Sequence, residues 1–401
     1  MESPINARRR QMLFTSVAAA GLGTFTPTVL AQETAKPKPK PLPKYAAWKN
    51  AESVIVHSSN TIETRRSAFG TSMIVPNDIL FVRNNLTPPE QDIVADANAW
   101  TVEIAGVRHP GKITVADLKR LGVATLPTVL QCSGNGRGFF GHKASGTQWK
   151  VGAAGCVFWS GVPVAAVVES MGGVAEGMGY MTTTGGEKMP AGVDPKTVIV
   201  ERSVPVQNIK TALLAWELNG EPIPLAHGGP LRLIVPGYYG VNNVKYVDRL
   251  AFTDRETDAN IQRTGYRVRD IGVKGAPDQP SMWEMSVKSW ITHPAGEGPV
   301  RAGTAQVSGV AFAGVNGVKR VEVSLDGGKT WKDARFFGPD LGHYAWRQFV
   351  LPVEFKAGGN YTLVSRASDT AGNTQPELRQ ENERGYAHNG WRDHGVKLIV
   401  T

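Results

Sequence analysis

The chain has two cysteines, Cys132 and Cys156, so any sulfur chemistry starts from them. Cys132 stands in LPTVLQCSGNGRGFF, residues 126–140. An apolar, strand-like run stops at the cysteine. Gly134, Gly136 and Gly138 follow at alternate positions, with Arg137 between the last two. Three chemistries are open to such a stretch: a glycine loop cradling a nucleotide phosphate, half of a disulfide, or a loop presenting one thiolate. A dinucleotide fingerprint needs a helix directly after its glycines, so that the helix N-terminus faces a pyrophosphate. Here RGFFGHKASGTQW follows, without helical period, which weakens that reading. A thiolate at a strand end, beside glycines that let the backbone approach closely, suits a cofactor, and Arg137 would favour the thiolate and bind an anion. Cys156, in the apolar run GAAGCVFWSGV, reads as a small buried structural residue.

Other metal chemistries leave no trace. No Cys-x-x-Cys-His is present for covalent haem, and the eight His form no His-Glu-x-x-His. The formal charge is +9, and no basic helix or aromatic–basic stripe points to nucleic acid. A mildly basic protein suits anionic small substrates or acidic partner proteins. The first residues, ARRRQMLFTSVAAAGLGTFTPTVLAQ, combine a basic start, a short apolar middle and Ala31 at a cleavage point. They read as an export signal over residues 1–31, not a membrane span, and Arg9-Arg10 fits the twin-arginine type. Its removal takes out three Arg and one Glu, lowering the charge from +9 to +7. Alternating Lys and Pro over residues 32–44 form an extended spacer without a core.

The elements that must position the cysteine follow from pattern. The 401 residues, 41% hydrophobic with 45 Gly and 26 Pro, favour strands and structured loops over long helices. WTVEIAGVRHPGKITVADLKRLG reads as strand, turn, strand and a short helix stopped at Gly122; GVPVAAVVESMGG reads as a helix with Pro163 near its start. LRLIVPGYYG is a buried strand ending in a turn. After about residue 285 the helices stop. Alternating segments with Asn-Gly and Asp-Gly-Gly turns suggest an immunoglobulin-like sandwich without an internal disulfide.

Taken in order, these segments resemble the sulfite oxidase and periplasmic sulfite dehydrogenase family. LQCSGNGRG is similar to its molybdenum-binding segment, FVRNNL (81–86) to its Phe-Val-Arg-Asn-His-Leu, and AHGGPLRLIVPGYYGVNNVKYV (226–247) to its pterin-binding stretch. QRTGYR (262–267) matches the segment of its active-site tyrosine, and VEVSLDGGKTW (321–331) a part of its dimerisation domain. The resemblance implies an α+β molybdopterin-binding catalytic domain over residues 45–284, then an immunoglobulin-like β-sandwich dimerisation domain over residues 285–401. It implies one molybdenum–molybdopterin per chain, bound through Cys132, and no haem. A Cys132–Cys156 disulfide would consume that ligand. Arg83, Arg137 and Arg384 match substrate-pocket arginines, Tyr266 the tyrosine beside the metal, and Trp149 a pocket wall. Phe81, Val82, Arg83, Asn84, Asn85, Asp194, His227, Arg232, Asn243, Val244 and Lys245 match positions that hold the pterin and its phosphate. Asn85 stands where many relatives have His, which alters a donor or proton carrier there.

The activity so implied is oxidation of sulfite to sulfate in the periplasm by a homodimer without a membrane span, electrons leaving to a separate c-type cytochrome. Two alternatives stand beside it. A molybdopterin reductase acting on a sulfoxide, such as oxidised methionine, would not need three arginines for a small anion. An exported binding protein built on the sandwich would carry no molybdenum.

Overall fold

In the computed structural model, the described residues are 40–401; the expected export signal and most of the Lys/Pro spacer lie outside them. Strands dominate. The helix expected before Gly122 is Val115–Leu118, started by a capping box in which Thr114 and Asp117 satisfy each other's backbone N–H groups. It tightens into a 3-10 turn, Lys119–Leu121, and ends where Gly122 takes φ 116°. The helix after Pro163 is Val164–Ser170. Among the described residues no helix is long and apolar enough to cross a membrane.

Three sheets precede the sandwich. Val54–Ser58, Thr61–Thr64 and Val82–Arg83 form a small antiparallel sheet. A second, mixed sheet runs in the order Gly111–Thr114, Thr101–Ala105, Val247–Thr253, Tyr180–Gly185, Glu201–Pro205. The third carries the cysteine: Ala124–Gln131 pairs antiparallel with Ala154–Pro163, which pairs in turn with Leu213–Leu218. Ala154–Pro163 is buried on both faces, as the unbroken apolar run of its sequence requires. The register sets Cys156 opposite Val129. Cys132 lies three positions further along the partner strand, roughly 10 Å away at strand rise, beyond disulfide reach. Both cysteines are free.

The sandwich has two four-stranded sheets. One runs Lys288–His293, Gly303–Phe312, Arg347–Phe355, Arg335–Phe337; the other runs Lys332–Asp333, Val318–Ser324, Asn360–Asp369, Val396–Ile399. Val307, Val321, Phe349 and Leu363 fill the space between them. α+β sheets followed by an immunoglobulin-like sandwich is the architecture expected from the pattern. An apolar cluster crosses the seam, joining Phe69, Val129 and Trp149 to Trp290, Phe312 and Trp346. Backbone bonds cross it too: Val129 N–H donates to Tyr344 O at 2.9 Å, directly on the cysteine strand.

Candidate active site

The loop after the cysteine strand is built by its own sequence. Cys132 N–H donates to Ala153 O at 2.9 Å, the last tie to the neighbouring strand, and the chain then turns, with Asn135 N–H on Cys132 O at 2.9 Å. Asn135 locks the turn: its Oδ1 accepts from Ala153 N at 3.1 Å and its Nδ2 donates to Gln131 Oε1 at 3.1 Å. The glycines make room. A Cβ on Gly134 would lie 2.4 Å from the Arg137 guanidinium, which folds back over it. Gly136 takes φ 100°, and a Cβ there would meet the His388 ring at 2.5 Å. From the sandwich, the buried Lys288 ammonium donates to Asn135 O at 3.1 Å. The glycines therefore serve packing around a thiol, not a phosphate.

Cys132 lines a cavity of about 610 Å³ that is partly open to solvent. Phe81, Arg83, Asn84, Asn85, His227, Arg232, Asn243, Val244, Lys245 and Tyr266 line it as well. Far from one another in sequence, these candidates share one space. Its deep end is cationic. Arg232 donates to Asn243 O at 3.1 Å and to His227 O at 2.7 Å; Lys245 Nζ donates to Ala226 O at 2.7 Å and to Asn84 Oδ1 at 2.5 Å. Burial pushes Arg232 down to about 10 and Lys245 well below the usual lysine value. Burial, with Lys49, Lys245 and Arg232 nearby, also pushes His227 well below the usual histidine value, so its imidazole is neutral.

Two contributors were not singled out from the sequence. Lys49 is buried, and its Nζ lies 2.8 Å from Asn77 O, 2.6 Å from Leu80 O and 3.2 Å from His227 Nε2. When charged, that ammonium spends its protons on these three acceptors, leaving neutral His227 to carry its own proton on Nδ1. Glu187 lines the cavity at 8% exposure, with its Oε2 buried and unpartnered, and burial raises its carboxyl to about 7. The signal for it was an acid placed just after Gly185-Gly186 at the end of the Tyr180–Gly185 strand. Asp194 does not reach the cavity. It is exposed and caps the Pro195–Val198 helix, accepting from Lys196 N at 3.0 Å. Val82 and Trp149 lie behind the cavity wall as fully buried core, Trp149 packing edge-on against the lining residue Phe81 at 6.4 Å.

At the mouth, Arg83 donates to Asn84 O, and the Tyr266 hydroxyl lies 3.4 Å from Asn85 Oδ1, the acceptor that replaces the expected family His. Arg137 is 6% exposed; its Nε donates to Arg384 O at 2.8 Å and its Nη1 to Thr147 O at 3.1 Å. Arg384, half-buried, has its Nε buried without a partner. Arg137 and Arg384 thus meet through a backbone carbonyl rather than through the cavity lining. Cys156 is separate from all of this: fully buried, its thiol is pushed up to about 12 by desolvation.

The donor set decides what this cavity can hold. Among the described residues no group of three or more His, Cys, Asp or Glu could hold a metal ion. A metal at Cys132 must therefore arrive on a carrier that brings its own donors. Soft sulfur from Cys132, buried cations for a phosphate, and the unpartnered Glu187 carboxyl oxygen near Lys245 to accept heterocycle N–H groups fit a molybdenum–pterin group.

Comparison with known proteins agrees. Residues 87–261 match the oxidoreductase molybdopterin binding domain, and residues 279–400 the Mo-co oxidoreductase dimerisation domain. Mitochondrial sulfite oxidase of Homo sapiens is 30% identical over 350 residues, covering 82% of this chain and 62% of that protein, so this chain spans less than two thirds of it. A nitrate reductase [NAD(P)H] of Hordeum vulgare is 32% identical over 346 residues, covering 79% of this chain and 38% of its own length. The crystal structure of the sulfane dehydrogenase SoxCD from Paracoccus pantotrophus superposes with a TM-score of 0.71 at 26% identity, covering 94% of this chain and 96% of that one. With a molybdopterin-binding domain, a dimerisation domain and a lone thiol at the mouth of the cavity between the strands that hold it, the chain belongs to the sulfite oxidase family of molybdenum oxidoreductases.

Proposed function

We propose that this protein is a periplasmic sulfite dehydrogenase. The observation that carries the reading is the pairing of one thiol with a cation-ended cavity that Arg83 and Tyr266 also line. Sulfite gains one oxygen atom from water and becomes sulfate; two electrons and two protons leave. The molybdenum–pterin group, held through Cys132, supplies the two-electron change and the oxygen transfer. Arg232, Lys245 and His227 would hold its phosphate, and Glu187 would accept from its pterin. Arg83, Arg137 and Arg384 attract the sulfite oxygens by charge-assisted bonds and leave the sulfur lone pair free. The Tyr266 hydroxyl, with Asn85 as its acceptor, holds a proton position at the reacting oxygen.

Electrons pass singly to an external c-type cytochrome, and the protein works as a homodimer joined through the sandwich. The twin-arginine pair supports export to the periplasm as a folded molecule. The test is sulfite-dependent reduction of ferricyanide by purified protein that also shows one molybdenum per chain and no Soret band. Turnover of nitrate, a sulfoxide or a sulfane-sulfur substrate in place of sulfite would overturn the substrate; absence of molybdenum from active protein would overturn the chemistry.

A further inference from the structure

Tyr386 lies two positions after Arg384 and does not line the cavity, yet the fold spends strain to hold it. The residues on either side are in the left-handed region, Gly385 at φ 58° and Ala387 at φ 54°. For alanine that conformation is unfavourable and persists only where surrounding contacts enforce it. Here they do. Ala387 N–H donates to Ser133 O at 3.0 Å, next to Cys132, tying this sandwich turn to the cysteine loop. Asn382 clamps Tyr386 from both sides, accepting from its N–H at 2.9 Å and donating to its O at 3.0 Å.

The ring so placed touches the cavity-lining Tyr266 and the buried Arg137, both from the other half of the chain. It stacks on Tyr266, with centroids 5.1 Å apart and planes 8° from parallel. The guanidinium carbon of Arg137 lies 5.3 Å from its centroid. Arg137 is otherwise fixed by two carbonyls, those of Arg384 and Thr147, through Nε and Nη1. The Gly134 and Gly146 backbones lie close against the guanidinium, and the ring adds a contact that biases the face the fork presents. Tyr386 is 2% exposed, and its hydroxyl bonds no protein group among the described residues, so the ring makes these contacts. Burial holds its phenol up at about 12, which keeps the ring uncharged beside the guanidinium.

We infer that Tyr386 is a positioning residue for the anion pocket: its ring sets the plane of Arg137 and the tilt of Tyr266, so that the two act on one small oxyanion. The inference rests on the reading that Arg137 and Tyr266 serve sulfite. The cation–π contact is electrostatic and depends on electron density at the ring face, whereas simple packing does not. That difference makes the role testable.

In the molybdenum-loaded protein, Tyr386→Leu should raise the sulfite KM and the calorimetric dissociation constant of sulfate about tenfold each, equivalent to about 1.4 kcal/mol. Its kcat per molybdenum should change less. Tyr386→Phe should recover most of that loss. A series at the same position, phenylalanine carrying one, two and three ring fluorines, keeps the shape and drains the ring face; sulfate binding should weaken step by step. A flat fluorine series, or a Phe variant as impaired as Leu, overturns the inference. If Leu prevents folding or metal loading, the Phe and fluoro-Phe proteins still decide it. The underlying reading fails differently: wild-type protein would not oxidise sulfite, or Arg137→Ala would bind sulfate as tightly as wild type.

Discussion

At the scale of single residues, the two cysteines should behave as opposites. Cys132→Ser replaces a soft, acidic ligand with a hard, far less acidic hydroxyl, and should keep the fold while losing molybdenum and sulfite turnover. Full turnover by the Ser variant would remove Cys132 from the site. Cys156→Ser buries a hydroxyl in an apolar strand and should cost roughly 1–3 kcal/mol with activity per molybdenum intact. Glu187 gives a pH signature. Its carboxyl sits at about 7 in the fold against 4.5 in a free chain, so folding of cofactor-free protein takes up a proton between those values. Stability from this group therefore falls as pH rises through that window, by up to ~3 kcal/mol. Glu187→Gln cannot ionise, so its stability relative to wild type in urea unfolding should grow from about pH 5 to about pH 8. A pH-independent difference would mean that Glu187 folds already ionised. Cys132, Arg232 and Lys245 were legible because each lies in a contiguous segment. Glu187 and Lys49 were not, because single acids and lysines are common and only the fold brings Lys49 to His227, 178 positions away.

At the scale of elements, the loop from Ser133 to Phe139 is constrained by its glycines and by Asn135. Gly136→Ala would force a left-handed alanine against the His388 ring. We expect a cost of roughly 1–3 kcal/mol and a fall in bound molybdenum, read by thermal melting and metal analysis. Thr114→Ala offers a control: it opens the capping box of the remote Val115–Leu118 helix, at a cost of about 1 kcal/mol, with metal content unchanged. Equal metal loss in both would reduce the Gly136 effect to general instability. Sequence pattern placed this helix, the cysteine strand and the sandwich strands, since alternation and turn residues are local. It placed the loop glycines but not their purpose, because Gly134 answers to a side chain folding back and Gly136 to a ring from the sandwich. The family resemblance drew Asp194 toward the cofactor, whereas an acid just before a proline is equally the start of a helix, which is where the structure puts it.

At the scale of the whole molecule, the formal charge of +7 left after signal removal should govern the encounter with the proposed acidic electron acceptor. Between 10 and 150 mM salt the screening length falls from about 30 Å to about 8 Å, so kcat/KM for the cytochrome should fall several-fold while that for ferricyanide, taken as a ratio to it, shifts in a different degree. A rate with the cytochrome that ignores salt would exclude charge steering. The seam has a consequence for biosynthesis. The ribosome makes Cys132 and its strand early, but Arg384 and Tyr386 come after all but the last sandwich strand, Val396–Ile399. The Cys132 loop is tied at Ser133 O to Ala387, and Val129 on its strand to Tyr344. A nascent chain that has emerged only through the first half thus holds a thiol with no finished place to keep it. Metal loading has to wait for termination of synthesis, and the interval between the two is when that sulfur is most open to oxidation.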